Sequence, residues 1–230
     1  MKANCMVIAL LLISISCQRP KTQNNDVADP VREDIEWLNV WLPHTNDTLL
    51  PRVLLIGNSI TQSYSQGVTD LLKDKAYVGQ LTTSKSLGDP ALIAEVSLIL
   101  QQATFNVIHF NNGLHGWGYT EEEYANSFPQ LIQTLKEYAP SATLIWASST
   151  PFRSGEGMVG FDPLTERVKE RNKIALEAIS GHGIAINDLF ASAELHPEYY
   201  TGGDGVHLNK DGVNALAAQV ASVIEQALAN

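Results

Sequence analysis

Three side chains in this sequence have the types and spacing needed for nucleophilic acyl transfer. Ser59 lies in Gly57-Asn58-Ser59-Ile60-Thr61, and Asp204 and His207 lie in Gly203-Asp204-Gly205-Val206-His207-Leu208-Asn209. A serine hydroxyl attacks an acyl carbon when a base takes its proton. An imidazole can be that base, and a carboxylate then fixes its tautomer and stabilises the imidazolium that forms. Asp204 and His207, three positions apart on a turn before a helix, can face one cleft, Asp204 on one ring nitrogen and Ser59 on the other. A protonated ring cannot accept the serine proton, so activity is expected to fall as acid protonates His207. Each motif alone has a plainer reading: Ser59 or Thr61 as a helix cap, Asp204 as the close of a glycine turn, and His207 as the cap of the last helix.

The elements that must position these residues follow from hydrophobic patterning. Segments 52–57, 77–82, 107–112, 143–149 and 183–187 read as strands, several of them apolar on both faces as buried parallel strands are. Helical patterns cover 62–73, 91–102, 121–138, 163–180 and 210–228. Asp162-Pro163 starts one of these helices and Gly181 follows its end. Repeated βα units predict a three-layer α/β/α sandwich around a central, mainly parallel, five-stranded sheet. Ligands of such sheets bind beyond the carboxyl ends of the strands, in loops 58–61, 84–90, 113–120, 150–161 and 197–207. Ser59 would then sit at a helix N-terminus, where unpaired amides favour negative charge beside its oxygen. Thr61 stands where the GxSxG elbow of α/β-hydrolases has its second glycine, so that motif is absent.

Composition narrows the function classes. The 230 residues suffice for one well-cored domain, and 44% hydrophobic with 17% charged residues excludes wholesale disorder, collagen-like and coiled-coil chains. Fifteen Lys and Arg against twenty-five Asp and Glu give a net charge of −10, which argues against nucleic acid as a partner. Both cysteines, Cys5 and Cys17, lie near the N-terminus, so a disulfide framework, a thiolate zinc site and a cysteine nucleophile are excluded from the remainder. His44, His109, His182 and His196 show no ligand spacing with acidic residues, and no metal is expected.

Together, the serine block and the DGVHLN block, with a glycine after it, resemble the SGNH or GDSL hydrolase family from about residue 51 to the end. The resemblance implies the flavodoxin-like SGNH hydrolase fold, no cofactor, Ser59 as nucleophile, His207 as general base and Asp204 as its orienter. Asn58 replaces the family's usual aspartate at a position outside the triad. The resemblance also implies an oxyanion hole made from the Ser59 amide, the amide of Gly88 in Ser86-Leu87-Gly88-Asp89, and a third donor. That donor is an asparagine in the family's GxND motif, but this sequence reads His109-Phe110-Asn111-Asn112-Gly113-Leu114-His115-Gly116. Asn112 and His115 are both candidates, and Asn111 is a third.

Around this centre, Asn111, Trp117, Tyr119 and Arg153 are candidate substrate contacts, Arg153 for an anionic group on a glycine-rich, mobile rim. That rim lacks the lysine and helix context of a phosphate loop. Trp37 and Trp41 suit either a sugar platform or a cover for a sheet edge. The resemblance implies a serine esterase acting on small acyl esters, by analogy acetyl groups on carbohydrate. Leu87, Leu114, Trp117, Met158 and Phe161 could instead form a trough for the long chains of a lysophospholipase or thioesterase substrate. A non-catalytic, glycan-binding surface lipoprotein is the alternative from another class.

Before the domain, Lys2, an apolar run from Met6 to Ile13 and small residues up to Ser16 form a secretory signal, too short for the ~20 residues of a membrane-spanning helix. Cys17 resembles a bacterial lipobox cysteine, with Ser14 replacing the usual leucine-like residue. The expected division is a signal peptide over 1–16, lipidated Cys17 with a flexible polar tether over 17–34, and the hydrolase domain over 35–230. An exported protein, periplasmic or on the outer surface, follows, its only membrane contact being the lipid anchor.

Overall fold

The computed structural model describes residues 30–200 and 203–229. Cys5, Cys17, the signal segment and most of the tether lie outside them. The chain runs β1 (Leu38–Trp41), β2 (Arg52–Gly57), α1 (Ser59–Leu71), β3 (Tyr77–Thr83), α2 (Pro90–Leu100), β4 (Val107–Phe110), α3 (Glu121–Tyr138), β5 (Thr143–Ala147), β6 (Arg153–Ser154), β7 (Gly160–Phe161), α4 (Leu164–Ile179), β8 (Ala185–Asn187), α5 (Leu189–Glu194) and α6 (Lys210–Leu228). The main sheet has the order β1-β3-β2-β4-β5-β8, parallel throughout except for β1, which pairs antiparallel with β3. Six strands therefore replace the expected five. The extra strand is a four-residue edge with largely exposed side chains, which leaves no burial pattern in the sequence.

Alternate residues of the central strands enter opposite cores, which accounts for their continuous apolar runs. Leu54, Ile56, Ile108 and Phe110 pack with α2, α3 and the end of α4. Val53, Leu55 and Val107 pack with α1 and α6. Local chemistry starts the helices where the loops need them. Asn58 caps α1, Asp89 caps α2, Thr120 and Glu123 form a capping box on α3, and Asn209 caps α6.

The loop expected as a mobile rim contains the β6–β7 hairpin, tied inward by Arg153. Residues 31–33, assigned from sequence to the tether, lie against the domain instead. The Val31 amide donates to the Tyr119 hydroxyl at 2.8 Å, Arg32 pairs with Asp89 at 2.8 Å, and Glu33 meets the loop after β4. Polar composition alone cannot separate a tether from a strap whose charges have partners far along the chain. Among the described residues no helix is long and apolar enough to cross a membrane.

Candidate active site

Ser59 is the first residue of α1. The side chain of Asn58 accepts the Ile60 amide at 3.0 Å, so the capping role falls to Asn58 and not to Ser59 or Thr61. The Ser59 hydroxyl instead lies 2.9 Å from Nε2 of His207, and Nδ1 of His207 lies 2.6 Å from Oδ2 of Asp204. Oδ1 of Asp204 accepts the amides of Val206 and His207, each at 2.9 Å. One carboxylate thus shapes the turn and holds the ring. Partial burial pushes the Asp204 carboxyl up, but the hydrogen bonds from the His207 ring and the two amides outweigh it and keep the group below the usual carboxylate range.

Gly205 has φ +71°, and a side chain there would run into the Arg153 backbone. Its carbonyl accepts the Arg153 amide at 2.7 Å, which docks the Asp204–His207 turn on β6. Arg153 itself is 6% exposed, donates to the carbonyls of Val159 and Glu194, and lies 4.2 Å from the Phe161 ring centre. It braces the hairpin, which corrects its assignment as a contact for an anionic substrate.

The third-donor loop is organised by several distant residues. Asn111 is buried and donates to the Ala147 carbonyl at 2.7 Å and to Ser149 Oγ at 3.1 Å. Both of its amide hydrogens are engaged and its oxygen accepts Asn58 Nδ2 at 3.4 Å, so this buried side chain braces the loop, which corrects its placement as an oxyanion donor and substrate contact. Asn112 donates to the Lys85 carbonyl at 2.9 Å and accepts the Leu87 amide at 3.2 Å. Its nitrogen carries two hydrogens, so one bond to Lys85 does not exhaust it.

His115 Nδ1 lies 3.0 Å from the Glu33 carboxylate, which also accepts the Gly116 amide at 3.1 Å. In the neutral ring this partner draws the proton to Nδ1 and leaves Nε2 an acceptor, so His115 can donate to an oxyanion only as the imidazolium. Arg171, with a fully buried side chain, donates to the carbonyls of Gly113, His115 and Gly116 at 3.2, 2.7 and 3.1 Å.

Gly88 stands on the neighbouring loop, where a side chain would run into the Tyr119 ring. Tyr119 is buried, with its hydroxyl bonded to the Val31 amide, and its placement as a substrate contact is corrected accordingly. Trp117 is half-buried, edge-on to Phe152 and under the guanidinium of Arg171 at 4.6 Å. Glu36 pairs with Lys85 at 2.6 Å and fastens the Gly88 loop to the residues before β1. Its burial pushes the carboxyl up, but hydrogen bonds from Lys85, Ser84 and the Glu33 amide prevail and hold it at about 2. Sequence reasoning missed Glu33, Glu36 and Arg171. Their only signal was opposite charge at long separation. Among the described residues no three His, Cys, Asp or Glu side chains gather as a metal site would require.

No family model matches the chain, and no curated protein matches it significantly. Solved structures do. A GDSL-like lipase from Bacteroides thetaiotaomicron is 16% identical, with a TM-score of 0.61 over 76% of this chain and 88% of that one. A carbohydrate esterase family 3 protein from Talaromyces cellulolyticus is 14% identical, with a TM-score of 0.61 over 78% and 98%. An acetyl xylan esterase is 18% identical, with a TM-score of 0.61 over 75% and 99%. The chain has the fold of the GDSL/SGNH hydrolases.

Proposed function

We propose that the protein is a serine esterase that removes small acyl groups, chiefly acetyl, from carbohydrate. The observation that carries this reading is the hydrogen-bonded series Ser59, His207, Asp204 at 2.9 and 2.6 Å. Ser59 Oγ bonds to the acyl carbon while its proton passes to His207 Nε2, and the carbonyl becomes an oxyanion. As that intermediate collapses, the alcohol leaves with the proton from His207. Water then attacks the acyl-serine, again giving its proton to His207, and the acid departs as Ser59 recovers its hydrogen. Asp204, held ionised, keeps the ring's tautomer and faces the transient imidazolium. The Ser59 amide at the start of α1, the Gly88 amide and the Asn112 side chain are the assigned oxyanion donors.

The substrate assignment rests on exposure. The His207 and Asp204 side chains are 51% and 52% exposed, which suits a small acyl group carried on a bulky polar substrate. Two residues of the alternative trough, Leu87 and Leu114, are buried in the two cores, which disfavours long acyl chains. The names of the carbohydrate and acetyl xylan esterases of the same fold agree with this choice. The test compares hydrolysis of 4-nitrophenyl acetate and octanoate by wild type and Ser59→Ala. Acetate preference and loss in the variant are expected, and equal rates in the two proteins reject the esterase. Export and anchoring through Cys17 belong to the same reading. Mass spectrometry of the native protein should find Cys17 acylated, and an unmodified peptide spanning it rejects the anchor.

A further inference from the structure

The edge strand β1 carries the sheet past the helix that covers it. α1 packs beside β2, β3 and α6, and the α1-side face of β1 borders an open groove of about 410 Å³. Asn39, Trp41 and Gln80 line it from the sheet, and Gln62, Gln66 and Thr69 line it from α1. The sheet residues belong to one face: Trp41 pairs with Gln80, and Val78, two positions before Gln80, packs in the α1/α6 core. On the helix, Gln62, Gln66 and Thr69 follow the spacing of a single stripe, and Ser59 lies three positions before Gln62. The lining along α1 therefore begins about one helical turn after Ser59 and continues about 10 Å further along the helix.

The chemistry of this lining is specific. None of its residues is ionisable. It offers one aromatic plane, Trp41 at 66% exposure, and several primary amides, each both donor and acceptor. Two of these amides are already oriented: Gln80 donates to Asn39 at 3.1 Å and Gln66 donates to Asp70 at 2.9 Å. A charged polymer meets no countercharge here, and an acyl chain meets too little apolar surface. A neutral sugar ring fits both features, since its C–H face stacks on an aromatic plane and its hydroxyls pair with amides.

We propose that the groove is a second binding site, for neutral saccharide units adjoining the one whose ester is held at Ser59; this rests on the esterase reading and names the substrate's backbone. The test uses Ser59→Ala protein titrated with xylohexaose, cellohexaose and mannohexaose, followed by calorimetry and tryptophan fluorescence. At least one hexaose should bind. Adding Trp41→Ala should weaken it about tenfold or more, while Trp41→Phe retains most of the affinity. Absence of binding by all three sugars, undiminished binding by Trp41→Ala, or a folded Trp41→Phe no better than Trp41→Ala overturns the proposal. Tighter binding of polygalacturonate, an anionic polymer, does so as well. Because the titration needs no turnover, it is separate from the esterase reading, whose failure appears as equal nitrophenyl acetate hydrolysis by wild type and Ser59→Ala.

Discussion

Glu33 grips His115 across eighty-two positions, with both carboxylate oxygens 3.0 Å from Nδ1, and the same carboxylate takes the Gly116 amide. A residue of the N-terminal strap thereby sets the loop that follows β4. Glu33→Ala leaves that ring and amide without their acceptor. An expected loss of about 1 kcal/mol in unfolding free energy should accompany a severalfold fall in kcat on nitrophenyl acetate. Denaturant titration and steady-state kinetics check this, and unchanged values in both would show that the strap is incidental to the site.

Within the hydrogen-bonded series the three side chains are expected to act as a unit. Ser59→Ala and His207→Ala should each lower kcat on the order of 10⁴-fold, and the double variant should lose little more. Asp204→Asn keeps the shape but loses the charge that selects the His207 tautomer, so a large but smaller loss is expected. Independent, multiplicative losses in the double variant contradict the assigned roles.

Burial gives His109 a different consequence. This ring sits at the centre of the sheet on β4, accepts Asn187 Nδ2 at Nε2 (3.0 Å), and is pushed down by desolvation from 6.5 to about 3. The unfolded chain binds a proton near pH 6.5 that the folded chain refuses. The stability contributed by the neutral ring is therefore full above pH 6.5 and lost as the pH falls toward 3, by about 1.4 kcal/mol per unit for one proton. Urea unfolding between pH 4 and 7 should show this slope, reduced by one proton in His109→Gln. Parallel curves for the two proteins count against it.

Arg171 joins three carbonyls of the loop after β4 while buried against the rings of Trp117 and Tyr124. Arg171→Met fills much of the volume but strands those acceptors, at an expected cost of about 3 kcal/mol, and Arg171→Lys recovers little because an ammonium lacks the planar fork. Chemical denaturation measures the cost. Near-native stability in Arg171→Met contradicts the role.

At Gly88 the constraint is a neighbour's ring. Gly88→Ala should reduce both activity and thermal stability, because the new methyl meets Tyr119, and in a Tyr119→Ala background, itself destabilised by loss of a buried ring, the same change should cost much less stability. An equal cost in the two backgrounds argues for another cause.

Sequence alone determined the βα alternation, because strands such as β2 are buried on both faces and keep their apolar run whatever they contact. It also placed the first residues of α3 and α6, at 121 and 210, but it began α1 three residues late. It gave the cap of α1 to Ser59 or Thr61 and that of α6 to His207, where Asn58 and Asn209 do the capping, because several polar residues stand near each start and only the folded backbone decides which side chain reaches the free amides. The serine block and the DGVHLN block were readable only as a pair, through their joint resemblance to the motifs of SGNH hydrolases, because turn and helix chemistry alone accounts for each as a cap or a glycine turn. Only the tertiary structure decided the rest. Strand β1 owes its place to pairing with β3, and Glu33, Glu36 and Arg171 owe theirs to partners far along the chain, which no local pattern encodes. Arg153 and Tyr119 looked like contacts for a substrate because their polar groups were visible and their burial was not. Packing turned the first into a brace for the hairpin and the second into the surface that holds Gly88.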